Sequence, residues 1–110
     1  MESWHSAYLT EINQARLARQ SGNEGRARVC SRRAASILIS EYLERQGSSK
    51  TTSSAHERLR YLSTLPDLTA TAYEIIEHLL MRVDESFSLP EPIDLIADAQ
   101  QLARELSLDT

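Results

Sequence analysis

The sequence predicts an all-α protein, a helical bundle built as one domain over residues 1–110. Glycine and proline occur only three times each, so residues that end helices are scarce and fall at separated points. Apolar residues recur every three or four positions, and no alternating strand pattern or internal repeat is present. A chain of 110 residues with 41% hydrophobic residues suits a single core.

Two long helices open the chain. The first is predicted from about Ser3 to Gln20 and stops at Gly22. Asn23 is a good cap for the second helix, because its side chain accepts a hydrogen bond from a free amide of the first turn. The second helix continues to Gln46 and ends at Gly47.

Three further helices follow a polar loop. Ser54 and Glu57 have the spacing of a capping box, which predicts a short third helix over 55–63. The fourth is predicted over 68–86 and the fifth to about Leu106, opened by the same capping spacing at 88–91 with a proline near its first turn. The fourth is amphipathic, with one apolar face made by Leu68, Ala72, Ile75, Ile76, Leu79, Val83 and Phe87.

The second helix is predicted to be the central one because its apolar arc is unusually wide. Small residues at Ala27, Ala34 and Ala35 permit close helix approach. The extra width indicates contact with more than one neighbouring helix or with a second subunit, so a homodimer is an expected outcome. The arc is formed by Ala27, Cys30, Ala34, Ile37, Leu38 and Tyr42 and is extended by Ile39 and Leu43.

Glu41 lies on the same side of this helix as apolar residues, where a carboxylate is costly to bury without a cation or donor. One interpretation is a buried polar group of a site or a symmetric interface. The other is that Glu41 leans to the helix edge and pairs with Arg45, one turn on.

Charge is divided between the two halves of the chain. The net charge of −4 argues against coating nucleic acid or an anionic membrane through the overall field, so an anion site has to be local. The first hairpin is rich in arginine, whose forked donors suit phosphate, and we take Arg26, Arg28, Arg32 and Arg33 as phosphate-binding candidates. The alternative is that these arginines face the acidic C-terminal helices, within the chain or across a dimer.

Candidate catalytic residues are few. Glu74, His78 and Arg82 form one row at i, i+4 spacing, which is either a small acid-base cluster or a solvated row of ion pairs. The histidines fall on different helices without paired ligand spacing, so no metal site is predicted, and no motif indicates a cofactor.

The cysteine content and the apolar pattern predict where in the cell the protein is found. Cys30 is the single cysteine and falls at an apolar helical position, which indicates a buried thiol in a reducing compartment. No stretch approaches the roughly 20 apolar residues of a membrane span, and the first residues lack the order of a signal peptide. We expect a cytoplasmic protein without membrane contact.

The order of these segments resembles the HEPN family, the higher eukaryotes and prokaryotes nucleotide-binding domains. The resemblance covers most of the chain and rests on helix lengths and small-residue positions: the helix from Ala27 to Gly47 with its paired Ala34-Ala35, then a loop, His56-Glu57-Arg58-Leu59, a long helix, and a final helix Pro92-Ile93-Asp94-Leu95-Ile96-Ala97-Asp98-Ala99. It implies an up-and-down bundle of four main helices plus a short one that dimerises through its helices.

Active members of that family are metal-independent RNases, often toxins beside nucleotidyltransferase antitoxins. They carry an Arg followed, after four to six intervening positions, by a His. Arg82 is the counterpart of that Arg, but the His would fall at Phe87, Ser88 or Leu89. The usual Glu-Lys after the paired alanines is also replaced by Ser36-Ile37. Without the imidazole, general acid-base catalysis loses a factor of roughly 10² to 10⁴.

The sequence therefore predicts a HEPN-like homodimer that is not an RNase of the usual kind. Its expected task is binding, either of a protein partner such as a nucleotidyltransferase or of a nucleotide or RNA, and the resemblance implies a toxin-antitoxin type of system. One alternative is a divergent RNase that uses Arg82 with a histidine, His78 or His56, supplied across the dimer. The other is a purely structural adaptor.

Overall fold

The computed structural model describes residues 3–47, 55–66, 68–81 and 93–108. These residues form five helices and no strand, which confirms the all-α prediction for the described part of the chain. Neighbours in sequence pack against each other, and α5 also packs against α2 and α1. The helices are α1 Trp4–Gln20, α2 Glu24–Arg45, α3 Ala55–Leu62, α4 Ala70–Leu80 and α5 Leu95–Glu105.

The first two helices form an antiparallel hairpin. The side-chain oxygen of Ser3 accepts from the amide of Ser6 to cap α1, and the side chain of Asn23 accepts from the amide of Arg26 to cap α2, as predicted for Asn23. Gly22 joins the helices with a φ of 81°, a left-handed conformation that glycine adopts without strain. At the opposite end of the hairpin, the guanidinium of Arg45 stacks over the ring of Trp4 at 5.6 Å.

α2 is the central helix, as its wide apolar arc predicts. It packs against α1, α3 and α5. Ala34, Ala35, Leu38 and Ile39 are fully buried in the core that these helices share. The apolar width of α2 is therefore used inside one chain and does not by itself indicate a second subunit.

Cys30 is buried, as expected. It packs in a small cluster with Ala15 of α1 and Ile96 of α5, apart from the main core. The main core is built mostly from α2, α4 and α5, and the apolar face predicted for the fourth helix supplies Ala72, Ile75, Ile76 and Leu79.

The predicted boundaries of the fourth helix were wrong at both described ends. α4 begins at Ala70 because Thr69 is its cap, the Thr69 hydroxyl accepting from the amide of Ala72 at 3.0 Å. It ends at Leu80, and Met81 has an extended backbone with φ −65° and ψ 142°. Val83 and Phe87 of the predicted stripe lie outside the described residues.

The fifth helix also begins later than predicted. α5 starts at Leu95, and Asp94 is its cap because one carboxylate oxygen accepts from the amides of Ile96 and Ala97 at 3.1 and 3.2 Å. An aspartate in this position satisfies two amides that would otherwise have no helical partner. The capping spacing at 88–91, which predicts an earlier start, lies outside the described residues, as does the cap predicted at Ser54.

None of the described helices is both long enough and apolar enough to cross a membrane.

Candidate functional site

The four candidate phosphate-binding arginines fall into two pairs on different sides of α2. Arg28 and Arg32 are one turn apart, and both side chains are half-buried. Arg26 and Arg33, about two turns apart at 3.6 residues per turn, are exposed. The four arginines therefore form two separate pairs and do not make one phosphate-binding cluster.

Arg32 is held against the end of α4. Its Nε donates to the carbonyl of Leu79 at 3.1 Å, and its Nη2 donates to the carbonyl of Met81 at 2.8 Å. Leu79 belongs to the last turn of α4 and Met81 follows the helix directly, at the end that carries partial negative charge and where the acceptors have no helical partner. Arg32 thus closes the C-terminus of α4, a contact between residues 47 and 49 positions apart that sequence spacing does not reveal.

The half-buried position of Arg32 has an electrostatic cost. Burial lowers the pKa of the guanidinium below its ordinary value, and the neighbouring charge of Arg28 lowers it further. Among the described residues, no carboxylate lies within 4.0 Å of Arg32 to offset this cost.

A third arginine extends the same side of α2. Nη1 of Arg58, on α3, donates to the buried hydroxyl of Ser36 at 2.8 Å, and Ser36 lies one turn beyond Arg32. At about 5.4 Å per turn, the positions 28, 32 and 36 span roughly 11–12 Å along the helix axis. We refer to Arg28, Arg32 and Arg58 as the arginine row. Arg58 was not predicted as a site residue, because its position depends on how α3 packs on α2.

The second pair lies on the one exposed strip of α2. Exposed or half-exposed side chains occur here every three or four residues, and Val29 is 45% exposed. We refer to this surface as the outer strip, made of Arg26, Val29, Arg33, Ile37, Ser40 and Glu44. No charged side chain of the outer strip lies within 4.0 Å of an opposite charge in the described part of the chain.

The alternative in which the basic hairpin faces the acidic C-terminal part holds for Arg19. Its Nη1 donates to Oδ1 of Asp94 at 2.9 Å and its Nε donates to Glu24 at 2.6 Å, so one arginine joins α1, α2 and the cap of α5. The Glu24 contact contributes most to raising the pKa of Arg19. Arg26, Arg32 and Arg33 make no such contact with a described acidic residue.

The predicted acid-base row contains a contact that the sequence did not indicate. Nδ1 of His78 lies 2.9 Å from Oδ2 of Asp98 on α5, and Nε2 of His78 lies 3.8 Å from Oε1 of Glu74. The side chains of His78 and Asp98 are each 18% exposed, whereas that of Glu74 is 69% exposed. Asp98 was missed because it approaches His78 only through the packing of α4 on α5. Arg82 lies outside the described residues, and the side chain of His56 is not described either.

The His78–Asp98 contact is suited to holding two helices together. His78 is in the last turn of α4, a helix end that favours a basic side chain, and Asp98 is in the first turn of α5, a helix end that favours an acidic one. Burial raises the pKa of the Asp98 carboxyl, His78 lowers it, and the charges of Asp94 and Glu74 add to the rise. A carboxylate that orients an imidazole is also the arrangement a general base needs.

Glu41 pairs with Arg45, as the second interpretation of this residue predicted. Nε of Arg45 donates to Oε1 of Glu41 at 2.9 Å across one helical turn. Because Arg45 also stacks on Trp4, the pair helps to fix the end of the hairpin. Glu41 is only partly buried and has a cation partner, so it needs no ligand to explain its position.

In the described part of the chain, no group of three histidine, cysteine or acidic side chains is arranged to hold a metal ion. No family model, curated protein or solved structure matches the chain. The HEPN resemblance therefore stays a prediction, and the function has to be argued from the residues themselves.

Proposed function

We propose that this protein is a non-catalytic, HEPN-like binding module that takes a phosphate-bearing ligand, a nucleotide or RNA, on the arginine row. The observation that carries the proposal is the alignment of Arg28, Arg32 and Arg58 along one side of α2. The HEPN resemblance adds support, since it implies a bundle of this size and a nucleotide or RNA ligand.

Arg32 is a half-buried cation with no acidic side chain within 4.0 Å among the described residues. An anion stabilises a cation in such a position, and phosphate offers several acceptor oxygens to forked donors. Arg32 uses two of its five N–H donors on α4, so part of the fork is left for a ligand. Arg28 lies one turn before Arg32 on α2, and Nη1 of Arg58 is bonded to Ser36, one turn after Arg32. We expect these neighbouring donors to bind one phosphate group or two adjacent ones together with Arg32.

The ligand has to be recognised locally. With a net charge of −4, the chain as a whole repels polyanions, so no long-range positive field attracts the ligand towards the arginine row. We therefore expect affinity to depend steeply on the individual arginines and on salt. A protein partner such as a nucleotidyltransferase is a separate prediction that depends on the resemblance alone.

The test is fluorescence anisotropy of a labelled 12-nucleotide RNA and of a labelled ATP analogue. We expect Arg28→Ala and Arg58→Ala each to weaken binding about 5- to 20-fold, and each to reduce the salt dependence of RNA binding by about one phosphate contact. Arg60→Ala is the matched control, because Arg60 is an exposed arginine on the same short helix as Arg58. Equal losses in all three variants, or no binding by the unmodified protein, would contradict the proposal.

The divergent RNase is a second candidate, favoured by the contact that orients His78 towards Asp98. It predicts that the purified protein cuts single-stranded RNA without metal, and that His78→Ala and Arg82→Ala each abolish cutting. We expect no cleavage product on a denaturing gel after hours of incubation with the labelled RNA. A metal-independent cleavage that both substitutions remove would replace our proposal with this one.

A further inference from the structure

We propose that the outer strip of α2 is a self-complementary surface that binds a second copy of this chain, with the two α2 helices antiparallel and Arg26 of each copy against Glu44 of the other. The inference goes beyond the arginine row and uses none of its residues. The HEPN resemblance predicts a homodimer through helices but does not say which surface is used or how the copies are aligned.

The positions of Arg26 and Glu44 on α2 fit an antiparallel pair of helices. Arg26 and Glu44 are 18 positions apart, which is about five complete turns at 3.6 residues per turn, so they project from the same side of α2. They are separated by about 27 Å along the axis at 1.5 Å per residue. In an antiparallel pair centred on position 35, each Arg26 is level with a Glu44, and the contact occurs twice.

The charges of Arg26 and Glu44 are unfavourable at the ends of a single α2 helix. Arg26 lies in the first turn, where the free amides carry partial positive charge, and Glu44 lies in the last turn, where the free carbonyls carry partial negative charge. Both side chains therefore oppose the helix dipole, and neither has an oppositely charged partner within 4.0 Å in the described residues. A second antiparallel helix brings each charge its complement and so removes both unfavourable placements.

The middle of the strip also suits a twofold contact. Val29 and Ile37 are apolar, and Ser40 is small enough to allow close approach. In the same alignment, Ile37 and Arg33 are each two positions from the twofold axis, so Ile37 packs on the aliphatic stem of Arg33 of the second copy and the two guanidinium groups have to point away from each other. Val29 lies near Ser40 of the second copy. A surface that complements itself in this way gives a closed dimer and no larger assembly.

The size of the strip predicts a weak dimer. α2 has 22 residues and is about 33 Å long, and a contact between two single helices of that length buries less than the roughly 1,200 Å² of a stable interface. We therefore expect the dimer to dissociate on dilution. We also expect charge reversal at Arg26 or Glu44 to weaken dimerisation strongly, because one substitution changes the contact at both ends of the symmetric dimer.

The experiment is sedimentation velocity of the full chain at about 10 µM to 1 mM with three samples: Arg26→Glu, Glu44→Arg, and a mixture of the two. Each variant alone places like charges opposite each other and is expected to dimerise at least about tenfold more weakly than the unmodified protein. In the mixture the charges are complementary again, so a heterodimer of near-normal affinity is expected. Glu77→Arg on α4 is the control, because it reverses an exposed charge away from the strip.

Three results would overturn the inference: an unmodified chain that stays monomeric at 1 mM, a dimer that both reversals leave intact, or a mixture that does not restore association. Because Arg26 and Glu44 are exposed, we expect both variants to keep the helical circular dichroism of the unmodified chain. The outcome is separable from that of the proposed function, since RNA binding is measured on Arg28 and Arg58 and at concentrations where the chain is monomeric.

Discussion

Arg32 of α2 donates a 2.8 Å hydrogen bond to the main-chain carbonyl of Met81, the residue that follows the last one of α4. With its second bond, to the carbonyl of Leu79, this side chain caps the C-terminal end of α4. The apolar pattern predicts a helix to residue 86, but α4 ends at Leu80, where a distant arginine satisfies two carbonyls.

Removing this guanidinium is expected to destabilise the fold. We predict that Arg32→Ala lowers the free energy of unfolding by about 2 kcal/mol, since two charge-assisted bonds to part-buried carbonyls are lost. Arg32→Lys should lower the free energy of unfolding by a smaller amount, because an ammonium group can still reach one carbonyl. Urea unfolding followed by circular dichroism measures both, and the exposed Arg60→Ala should change stability by less than about 0.5 kcal/mol. A variant at position 32 as stable as the Arg60 control would contradict this role.

Asp94 is predicted to stabilise α5 in a pH-dependent way. Burial tends to raise the pKa of this carboxyl, but Arg19 and the two amides outweigh burial and lower it below its ordinary 3.8. The stabilisation is therefore present above pH 3.8 and is lost as the pH falls through the folded-state value. We expect Asp94→Ala to cost about 1 kcal/mol at pH 7, less as the pH drops below 3.8, and Asp94→Asn to keep most of the cap. Urea unfolding at pH 7 and pH 2.5 tests this, and a cost that did not shrink in acid would contradict it.

The stability that Asp98 contributes should change with pH in the opposite direction to that of Asp94. Burial raises the pKa of this carboxyl, so the folded state keeps its proton to a higher pH than the unfolded state does. Stability from this group is therefore lost as the pH rises from 3.8 through the folded-state value. Asp98→Asn should gain stability relative to the unmodified chain over that range and differ from it by less than about 1 kcal/mol at pH 7. Thermal unfolding from pH 3.5 to 7 is the measurement, and a loss of several kcal/mol would mean that the His78 contact outweighs burial.

Glu41 is expected to be dispensable for ligand binding. Its bond to Arg45 is a one-turn ion pair near the surface, and such pairs contribute about 0.3–0.5 kcal/mol. We predict that Glu41→Gln changes the free energy of unfolding by no more than that and leaves RNA affinity unchanged. Loss of RNA binding in this variant would restore the interpretation of Glu41 as a site residue.

Local sequence chemistry predicted that there are five helices but not where α4 ends or where α5 begins, and the site depended on contacts between distant residues. Asn23 and Gly22 predicted the turn between α1 and α2, and the wide apolar arc predicted that α2 is central, because caps and periodicity act within one helix. The bonds of Arg32 to α4, of Arg58 to Ser36 and of His78 to Asp98 join different helices. No spacing in the sequence encodes such contacts, so they could be found only after the helices were placed.

The contacts of α5 have a further consequence for how the chain is put together. Asp94 is bonded to Arg19 of α1, Asp98 is bonded to His78 of α4, and Ala99 and Leu102 lie in the main core. α5 is therefore held in register from both sides by contacts between side chains. In this respect the last helix binds to the first four helices much as a separate ligand would, through specific polar contacts at its first turn and an apolar face behind them.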